Sequence, residues 1–132
     1  MQTAGLVCLA NRKILLAFSK TKQAFYLPGG KLESGEDSRA ALIRELREEL
    51  HVELEPAGLT YYTHIRAPAF GEGTEILMEQ DCFRHDLEQV PEPGAEIGEI
   101  RYFDTNTYRL EPEQVPGVLL LLDVLKQDDL ID

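Results

Sequence analysis

The sequence predicts an α/β (α+β) fold in which a β-sheet packs between helices, and residues 1–132 are predicted to form one domain. Length and composition support this prediction, because 132 residues with 43% hydrophobic content are enough to build one core. The order of the patterns also supports it. Three apolar runs of strand length precede a helical pattern, and further strands and a second helical pattern follow. This order is typical of a sheet covered by helices.

The first part of the chain predicts three strands. They cover residues 2–10, 13–19 and 25–27. A turn at Asn11 and Arg12 joins the first two strands into a hairpin. Pro28-Gly29-Gly30 ends the third strand, because proline cannot donate a hydrogen bond to a central ladder. We expect a loop after these glycines.

Residues 36–50 predict an amphipathic helix. Leucines at every fourth position from Leu42 to Leu50 form a stripe that we expect to face the sheet. Asp37 and Ser38 are the favoured candidates for the N-cap, because their side chains can accept a hydrogen bond from the first turn.

The second part of the chain repeats this order with longer connections. Strand patterns cover residues 59–66, 74–84 and 99–103. Segments rich in turn residues cover 67–73 and 86–98. A last helix is expected to begin at Pro112 or Glu113. Its apolar stripe consists of Val118, Leu119, Leu122 and Leu125. The acidic residues 128–132 are expected to fray.

The net charge of −11 limits the classes of partner. A surface this acidic repels nucleic-acid polymers, so we expect no nucleic-acid polymer as a partner. It would also repel a small phosphate substrate, unless divalent cations lie between the carboxylates and the phosphates. The alternative is that the excess of acidic residues serves only solubility.

The two cysteines bear on the compartment. Cys8 and Cys82 lie in apolar runs, which predicts two buried, reduced thiols. Reduced thiols are typical of the cytoplasm, so we expect a cytoplasmic protein. No apolar run reaches the length needed to span a bilayer, so no membrane partner is expected. The sequence leaves the choice between a monomer and a homodimer open.

Three glutamates in the first helix form an acidic cluster. Glu45, Glu48 and Glu49 are three and four positions apart, so a helix places their side chains on one face. Like charges this close destabilise an isolated helix. Such a cluster is either a solvated surface or a cation site, and the surrounding residues favour a cation site.

These glutamates belong to a longer motif between Gly30 and Val52. Gly30 is followed after five residues by Glu36, and after seven more by Arg44-Glu45-Leu46-x-Glu48-Glu49. The motif resembles the box of the Nudix hydrolases, G-x5-E-x7-R-E-U-x-E-E-x-G-U, in which U is a bulky aliphatic residue. Leu46 and Val52 fill the aliphatic positions. Only His51 departs from the box, because the family has glycine there.

The resemblance implies a mixed, curved β-sheet between helices and a hydrolase of small nucleotides. Such an enzyme cleaves a phosphoanhydride bond in a nucleoside diphosphate linked to another moiety. It also implies Mg²⁺ as the cofactor, for which Mn²⁺ can substitute. The implied metal ligands are Glu45, Glu48, Glu49 and the carbonyl of Gly29.

The remaining box residues have implied supporting roles. Arg44 would orient a glutamate of the catalytic set by a charge-assisted hydrogen bond. Gly30 and Glu36 would be structural, with Glu36 closing the loop onto the helix N-terminus, where its charge suits the helix dipole. The family's glycine suits a left-handed residue at the helix end. We therefore predict that His51 adopts this conformation, which histidine tolerates comparatively well.

The general base is less defined, because the family places it either on the box helix or on a distant loop. Glu49 is the first candidate. Glu99 and Glu96 precede or begin a predicted strand where the family often supplies an extra carboxylate, and an ordinary surface role is the alternative for both.

Five residues are candidate substrate contacts: Phe25, Tyr26, Arg12, Lys20 and Lys22. Phe25 or Tyr26 could stack on a base, but alternate strand residues point to opposite sides, so only one can face a cleft. Arg12, Lys20 and Lys22 could contact distal phosphates. A core aromatic or a solvated surface cation is the alternative for each.

The short length favours a nucleoside triphosphate, intact or oxidised, that is cut to monophosphate and pyrophosphate. Pro68, sixteen residues after Val52, matches a proline of the ADP-ribose-cleaving branch, so ADP-ribose or a nucleotide sugar is the alternative. Two other classes are a catalytically silent nucleotide-binding or regulatory Nudix module and an acidic protein-interaction module. The complete set of box acids disfavours the first, and the box spacing disfavours the second.

Overall fold

In the computed structural model, which describes residues 1–72 and 76–132, the chain forms two β-sheets that pack between helices. The strands are β1 (Gln2–Val7), β2 (Leu9–Ala10), β3 (Lys13–Ser19), β4 (Ala24–Tyr26), β5 (Gly29–Lys31), β6 (Thr60–Pro68), β7 (Leu77–Arg84) and β8 (Ile97–Phe103). The helices are α1 (Ser38–Leu50), α2 (Thr105–Tyr108) and α3 (Pro116–Gln127), with a 3₁₀ turn at Pro56–Gly58. This architecture confirms the predicted α/β (α+β) class.

The two sheets differ in their pairing. The first sheet has the strand order β5-β1-β7-β6, and it is mixed because β1 runs parallel to β7. In the second sheet β3 pairs antiparallel with β2, β4 and β8. The predicted strand 2–10 is divided at Cys8, so that β1 belongs to one sheet and β2 to the other. The Cys8 carbonyl accepts a hydrogen bond from Leu15 of β3, which joins the sheets.

Alternate strand residues face opposite sides, and this alternation gives two apolar cores. Leu6 of β1 and Leu15 of β3 pack in one core with the leucine stripe of α1. Their neighbours Val7 and Ile14 pack in the other core with α3. The helices α1 and α3 therefore cover opposite faces of the sheets.

Helix α1 begins two residues later than predicted. Asp37 is its N-cap, and the Asp37 carboxylate accepts a hydrogen bond of 2.8 Å from the N–H of Ala40. Glu36 therefore lies in the loop before the helix. The buried residues Leu42, Leu46 and Leu50 confirm the predicted stripe.

The helix ends at Leu50, and His51 forms its C-cap. His51 has φ 54° and ψ 38°, and its N–H donates to the carbonyl of Leu46. This geometry confirms the predicted left-handed conformation at the position where the box has glycine.

Helix α3 begins at Pro116, not at Pro112 or Glu113 as the sequence predicted. The preceding segment is held in a different conformation, because the Gln114 amide donates to the carbonyls of Arg109 and Glu111. Pro116 suits the first turn of a helix, where no N–H is needed.

The C-terminal residues do not fray as expected. Ile131 is buried, with 1% of its surface exposed. The N–H of Asp132 donates to the carbonyl of Arg12, and the N–H of Thr105 donates to the carbonyl of Asp132. Contacts with residues distant in sequence therefore fix this tail.

Other differences concern strand limits. Residues 29–31 form β5 instead of a loop, because they pair antiparallel with β1. Strand β6 continues to Pro68, β8 begins at Ile97, and the four-residue helix α2 was not predicted. The predicted strand start at Thr74 lies outside the described residues, and β7 begins at Leu77. In the part of the chain that the structure describes, no helix is long and apolar enough to cross a membrane.

Candidate active site

The acidic face of α1 lies against the backbone of β5. A Cβ atom at Gly30 would lie only 2.6 Å from Cδ of Glu45. The N–H of Gly29 donates to Oε1 of Glu49 over 2.9 Å. Gly29 has φ 140°, and a Cβ there would lie 2.0 Å from the carbonyl oxygen of Ala4. Gly30 therefore allows the Glu45 carboxylate to approach the strand, and Gly29 allows β5 to pair closely with β1; a larger residue would prevent either contact.

Arg44 connects the loop before α1 to the acidic face. Its guanidinium donates to Glu36 through Nε at 2.8 Å and through Nη2 at 2.9 Å. The same group donates to Glu45 at 2.9 Å and to the carbonyl of Lys31 at 3.0 Å. The hydrogen bond from Arg44 lowers the pKa of Glu36 to about 2. Glu36 is therefore the fixed anion that orients Arg44, and Arg44 in turn orients Glu45.

The carboxylates of Glu49 and Glu45 are both partly removed from solvent. Burial raises the pKa of Glu49 to about 8, against the effect of the Gly29 hydrogen bond. Burial also raises the pKa of Glu45, although Arg44 opposes this shift. The negative charges of Glu45 and Glu96 add to the rise at Glu49. A cation between these groups would relieve their repulsion.

Glu48 has a different environment from the other two glutamates. Its side chain is 59% exposed, and Oε2 lies 3.4 Å from Nη1 of Arg44. Among the described residues, no three histidine, cysteine, aspartate or glutamate side chains are arranged to hold a metal ion. Glu48 would therefore have to turn from Arg44 toward Glu45 and Glu49 to complete a set of three carboxylate ligands.

A pocket of about 360 Å³ lies between the two sheets. Glu45 and Glu49 line it together with Thr3, Tyr26 and Gln80. The volume is in the range of small-molecule sites. The pocket thus connects the acidic carboxylates with an aromatic side chain and an amide.

The rim of the pocket carries two cations that share one carboxylate. Lys22 and Lys31 approach Oε1 of Glu72 at 3.3 and 3.4 Å. The loop that carries Glu72 is also held by the hydroxyl of Tyr26, which donates to the carbonyl of Phe70 at 3.2 Å. These lysines are therefore positive groups in the same pocket as Glu45 and Glu49.

The model of the NUDIX domain family matches residues 1–121. The chain belongs to the Nudix family. The resemblance seen in the box is therefore confirmed over most of the chain. A comparison with curated protein sequences gave no significant match.

Solved structures share this Nudix fold at low sequence identity. The MutT protein from Methanosarcina mazei Go1 has 15% identity and a TM-score of 0.77, with 98% of this chain and 94% of that chain covered. A bifunctional NMN adenylyltransferase/ADP ribose pyrophosphatase from Francisella tularensis, complexed with AMP and a Mn ion, has 18% identity and a TM-score of 0.70, with coverages of 96% and 41%. A C. elegans Ap4A hydrolase has 18% identity and a TM-score of 0.62, with coverages of 98% and 90%. At these identities the comparison shows the shared fold.

The Nudix pocket includes only one of the two candidate aromatic residues. Tyr26 lines the pocket, whereas Phe25 is 2% exposed and lies in the core. The ring of Phe25 packs edge-on against Phe18 and Phe103, at centroid distances of 5.1 and 4.8 Å. Adjacent strand residues point to opposite faces, so the position of Tyr26 in the pocket excludes Phe25 from it.

Two of the three candidate cations lie outside the pocket lining. Arg12 binds Asp132 at 2.6 Å and Asp129 at 2.8 Å, so it fixes the C-terminal tail. Neither Arg12 nor Lys20 is among the described residues that line the pocket. Lys22, the third candidate cation, does line the pocket.

The two accessory acids are separated by the structure. Glu96 lines the pocket with Glu49. Glu99 forms an ion pair of 2.8 Å with Arg101 and is not among the described residues of the pocket lining. Glu96 is therefore the accessory acid that can reach a ligand in this pocket.

Three residues that line the pocket were not predicted from the sequence: Lys31, Glu72 and Gln80. One signal could have identified Gln80. It stands in a predicted strand at the same parity as Met78 and Cys82, where a residue of the buried face is expected. A long amide at such a position requires an explanation.

Proposed function

We propose that this protein hydrolyses a phosphoanhydride bond in a nucleoside diphosphate linked to another moiety, with Mg²⁺ as the cofactor and Mn²⁺ as a possible substitute. The favoured substrate is a nucleoside triphosphate, intact or oxidised, cut to nucleoside monophosphate and pyrophosphate. One observation supports the proposal most directly. The partly buried carboxylates of Glu45 and Glu49 meet the backbone of Gly29 and Gly30 at one end of a pocket of nucleotide-binding size.

The donor groups at this end fit a hard divalent cation. Glu45, Glu48 and Glu49 offer carboxylate oxygens from one helix face, and the Gly29 carbonyl can add a further oxygen. Mg²⁺ prefers oxygen ligands and keeps several waters, so a few protein ligands are enough. When bound, the cation would neutralise phosphate oxygens and lower the pKa of a coordinated water.

The protein groups have separate tasks in this proposal. Oε1 of Glu49 accepts the N–H of Gly29, which leaves Oε2 to accept a proton from the attacking water. The position of Glu49 at the acidic end of the pocket supports it as the general base. Arg44 holds Glu45 in position, and Lys22 and Lys31 are placed to contact phosphate oxygens at the rim.

A second substrate class is ADP-ribose or a nucleotide sugar. Pro68, the residue that suggested it, lines the pocket. The Francisella tularensis protein of the same fold is an ADP ribose pyrophosphatase complexed with AMP and a Mn ion. The partner of this protein would in either case be a small nucleotide and not a nucleic-acid polymer, because the net charge is −11. The buried, unbridged thiols of Cys8 and Cys82 support a cytoplasmic location.

A nucleotide screen with Mg²⁺ tests the proposal. A nucleoside triphosphate should give monophosphate and pyrophosphate, whereas ADP-ribose should give AMP and ribose phosphate. If both compounds stay intact while a dinucleoside polyphosphate or a capped RNA end is cleaved, both substrate assignments are wrong.

Three variants connect the activity to the acidic face. Glu48→Gln and Glu49→Gln should each lower turnover by roughly a hundredfold or more, because each removes a proposed ligand of the cation. Glu55→Gln, an exposed acid outside the pocket lining, is the matched control and should retain wild-type turnover. Near wild-type turnover with Mg²⁺ in both Glu48→Gln and Glu49→Gln would overturn the metal assignment.

A further inference from the structure

Gln80 is a polar residue in the middle of the central strand β7. It pairs with Thr3 of β1, and its side chain lines the pocket between the sheets. Only 8% of Gln80 is exposed. Most of this long side chain is thus shielded from solvent, and its amide lies at the pocket.

The amide of Gln80 has no protein partner in the described parts of the chain, residues 1–72 and 76–132. It lies over Gly5, where a Cβ would come within 3.0 Å of Nε2. An amide that faces a pocket without a protein partner contributes less to stability than a well-packed apolar side chain. A leucine of similar size would therefore stabilise this position better, so stability alone does not explain Gln80.

The surroundings of the amide are suited to a flat apolar ring. Tyr26, Phe70 and Met78 line the same pocket. The rings of Tyr26 and Phe70 are 6.1 Å apart, with an interplanar angle of 79°. Aromatic side chains of this kind bury large apolar area, and they pack well against other rings.

The amide also lies at a suitable distance from the acidic end. Thr3 pairs with Gln80 on one side and with Lys31 of β5 on the other. Two strand spacings, about 10 Å, therefore separate β7 from β5. The Gln80 amide extends from β7 toward β5 over Gly5, and the N–H of Gly29 in β5 binds Glu49. A nucleotide with its phosphates at Glu45 and Glu49 would place its base near Gln80.

We propose that the side-chain amide of Gln80 hydrogen-bonds the edge of the substrate's nucleobase and selects the base. An amide presents one donor and one acceptor side by side, which matches adjacent acceptor and donor atoms on a base edge, as in N7 and N6 of adenine. This inference rests on the proposed nucleotide hydrolysis and adds the residue that distinguishes one base from another.

The test uses binding of the nucleoside monophosphate, which is released in both substrate classes. Isothermal titration calorimetry would give Kd values of the full chain for AMP, GMP, CMP, UMP and ribose 5-phosphate, which has no base. The wild type should bind at least one monophosphate at least tenfold more tightly than ribose 5-phosphate. Gln80→Leu should weaken the binding of that monophosphate about tenfold and leave the Kd for ribose 5-phosphate unchanged.

Two further variants test whether the base preference depends on the hydrogen-bonding amide of Gln80. Gln80→Glu keeps the size of the side chain but cannot donate when ionised, so it should also lose the preference. Gln2→Leu is the matched control, because it makes the same change at an exposed position of β1 that is not among the described residues of the pocket lining. It should retain the preference. The melting temperature of Gln80→Leu should equal or exceed that of the wild type, which shows that the fold is intact.

Three outcomes would overturn the inference. The first is a wild type that binds no monophosphate more tightly than ribose 5-phosphate. The second is a Gln80→Leu variant that still prefers the same monophosphate to ribose 5-phosphate. The third is a Gln80→Leu variant that loses as much affinity for ribose 5-phosphate as for the monophosphate. Failure of the hydrolysis assay with retained base-selective binding would count against the proposed reaction and support the assignment of Gln80.

Discussion

Replacing Glu49 by glutamine should stabilise the metal-free protein, and the gain should grow with pH. Burial raises the pKa of Glu49 from its ordinary value of 4.5 to about 8. The folded protein therefore holds this proton more tightly than the unfolded chain does. Below pH 4.5 both states are protonated, and Glu49 has no unfavourable effect. As the pH rises from 4.5 to 8, the unfolded chain loses the proton first, and the free energy of unfolding falls.

The size of the effect follows from the same pKa values. A difference from 4.5 to about 8 corresponds to roughly 4–5 kcal/mol, at about 1.4 kcal/mol for each pH unit. Water and monovalent cations in the open pocket relieve part of this cost, so we expect a gain of at least about 2 kcal/mol for Glu49→Gln at pH 9. Glutamine retains an oxygen that can accept the N–H of Gly29, so the fold should tolerate the change.

Urea unfolding at pH 5 and pH 9, with a chelator present, measures this difference. Glu48→Gln is the control, because Glu48 is 59% exposed and its replacement should give no comparable gain. Added Mg²⁺ at pH 9 should stabilise the wild type more than Glu49→Gln, since the metal binds the ionised carboxylate. An equal effect of Glu49→Gln at both pH values would refute the reasoning.

Three further changes test other contacts. His51→Val should be less stable than His51→Gly by about 1–2 kcal/mol, because residue 51 has φ 54° and a β-branched residue fits this region badly; equal melting temperatures would contradict this. Arg44→Lys keeps the charge but loses the two hydrogen bonds to Glu36, so kcat should fall in steady-state assays, and unchanged kcat would argue against the orienting role. Glu72→Gln releases Lys22 from its ion pair, so KM for a triphosphate substrate should fall several-fold with kcat retained. A KM that stays the same or rises would show that Lys22 does not contact phosphate.

The features that the sequence predicted correctly depend on local signals. The leucine stripe, the cap at Asp37 and the left-handed His51 each follow from residues within one or two turns of α1. The box places Glu45 and Glu49 on one helix face for the same reason. The identity of the helix and of its acidic face could therefore be read without any knowledge of the sheets.

The features that were missed depend on pairing between distant segments. Gly29 and Gly30 have no intrinsic preference for a strand, and they form β5 only because β1 lies beside them. Arg12 was expected at the substrate, but it is held by Asp129 and Asp132 more than a hundred positions later. Gln80 could be placed in the pocket only once the parallel pairing of β1 and β7 was known.

The central position of β1 has a consequence for how this protein folds. β1 pairs with β5 on one side and with the much later strand β7 on the other. The β3–β4 hairpin can form early because its strands are adjacent in the chain, but the β1–β7 ladder must close a long loop of intervening chain, which slows folding. During synthesis, the box helix can therefore form well before the base-binding side of the pocket exists. A partly folded chain would carry the acidic carboxylates without the amide opposite them, and nucleotide binding should be one of the last properties that the folding chain acquires.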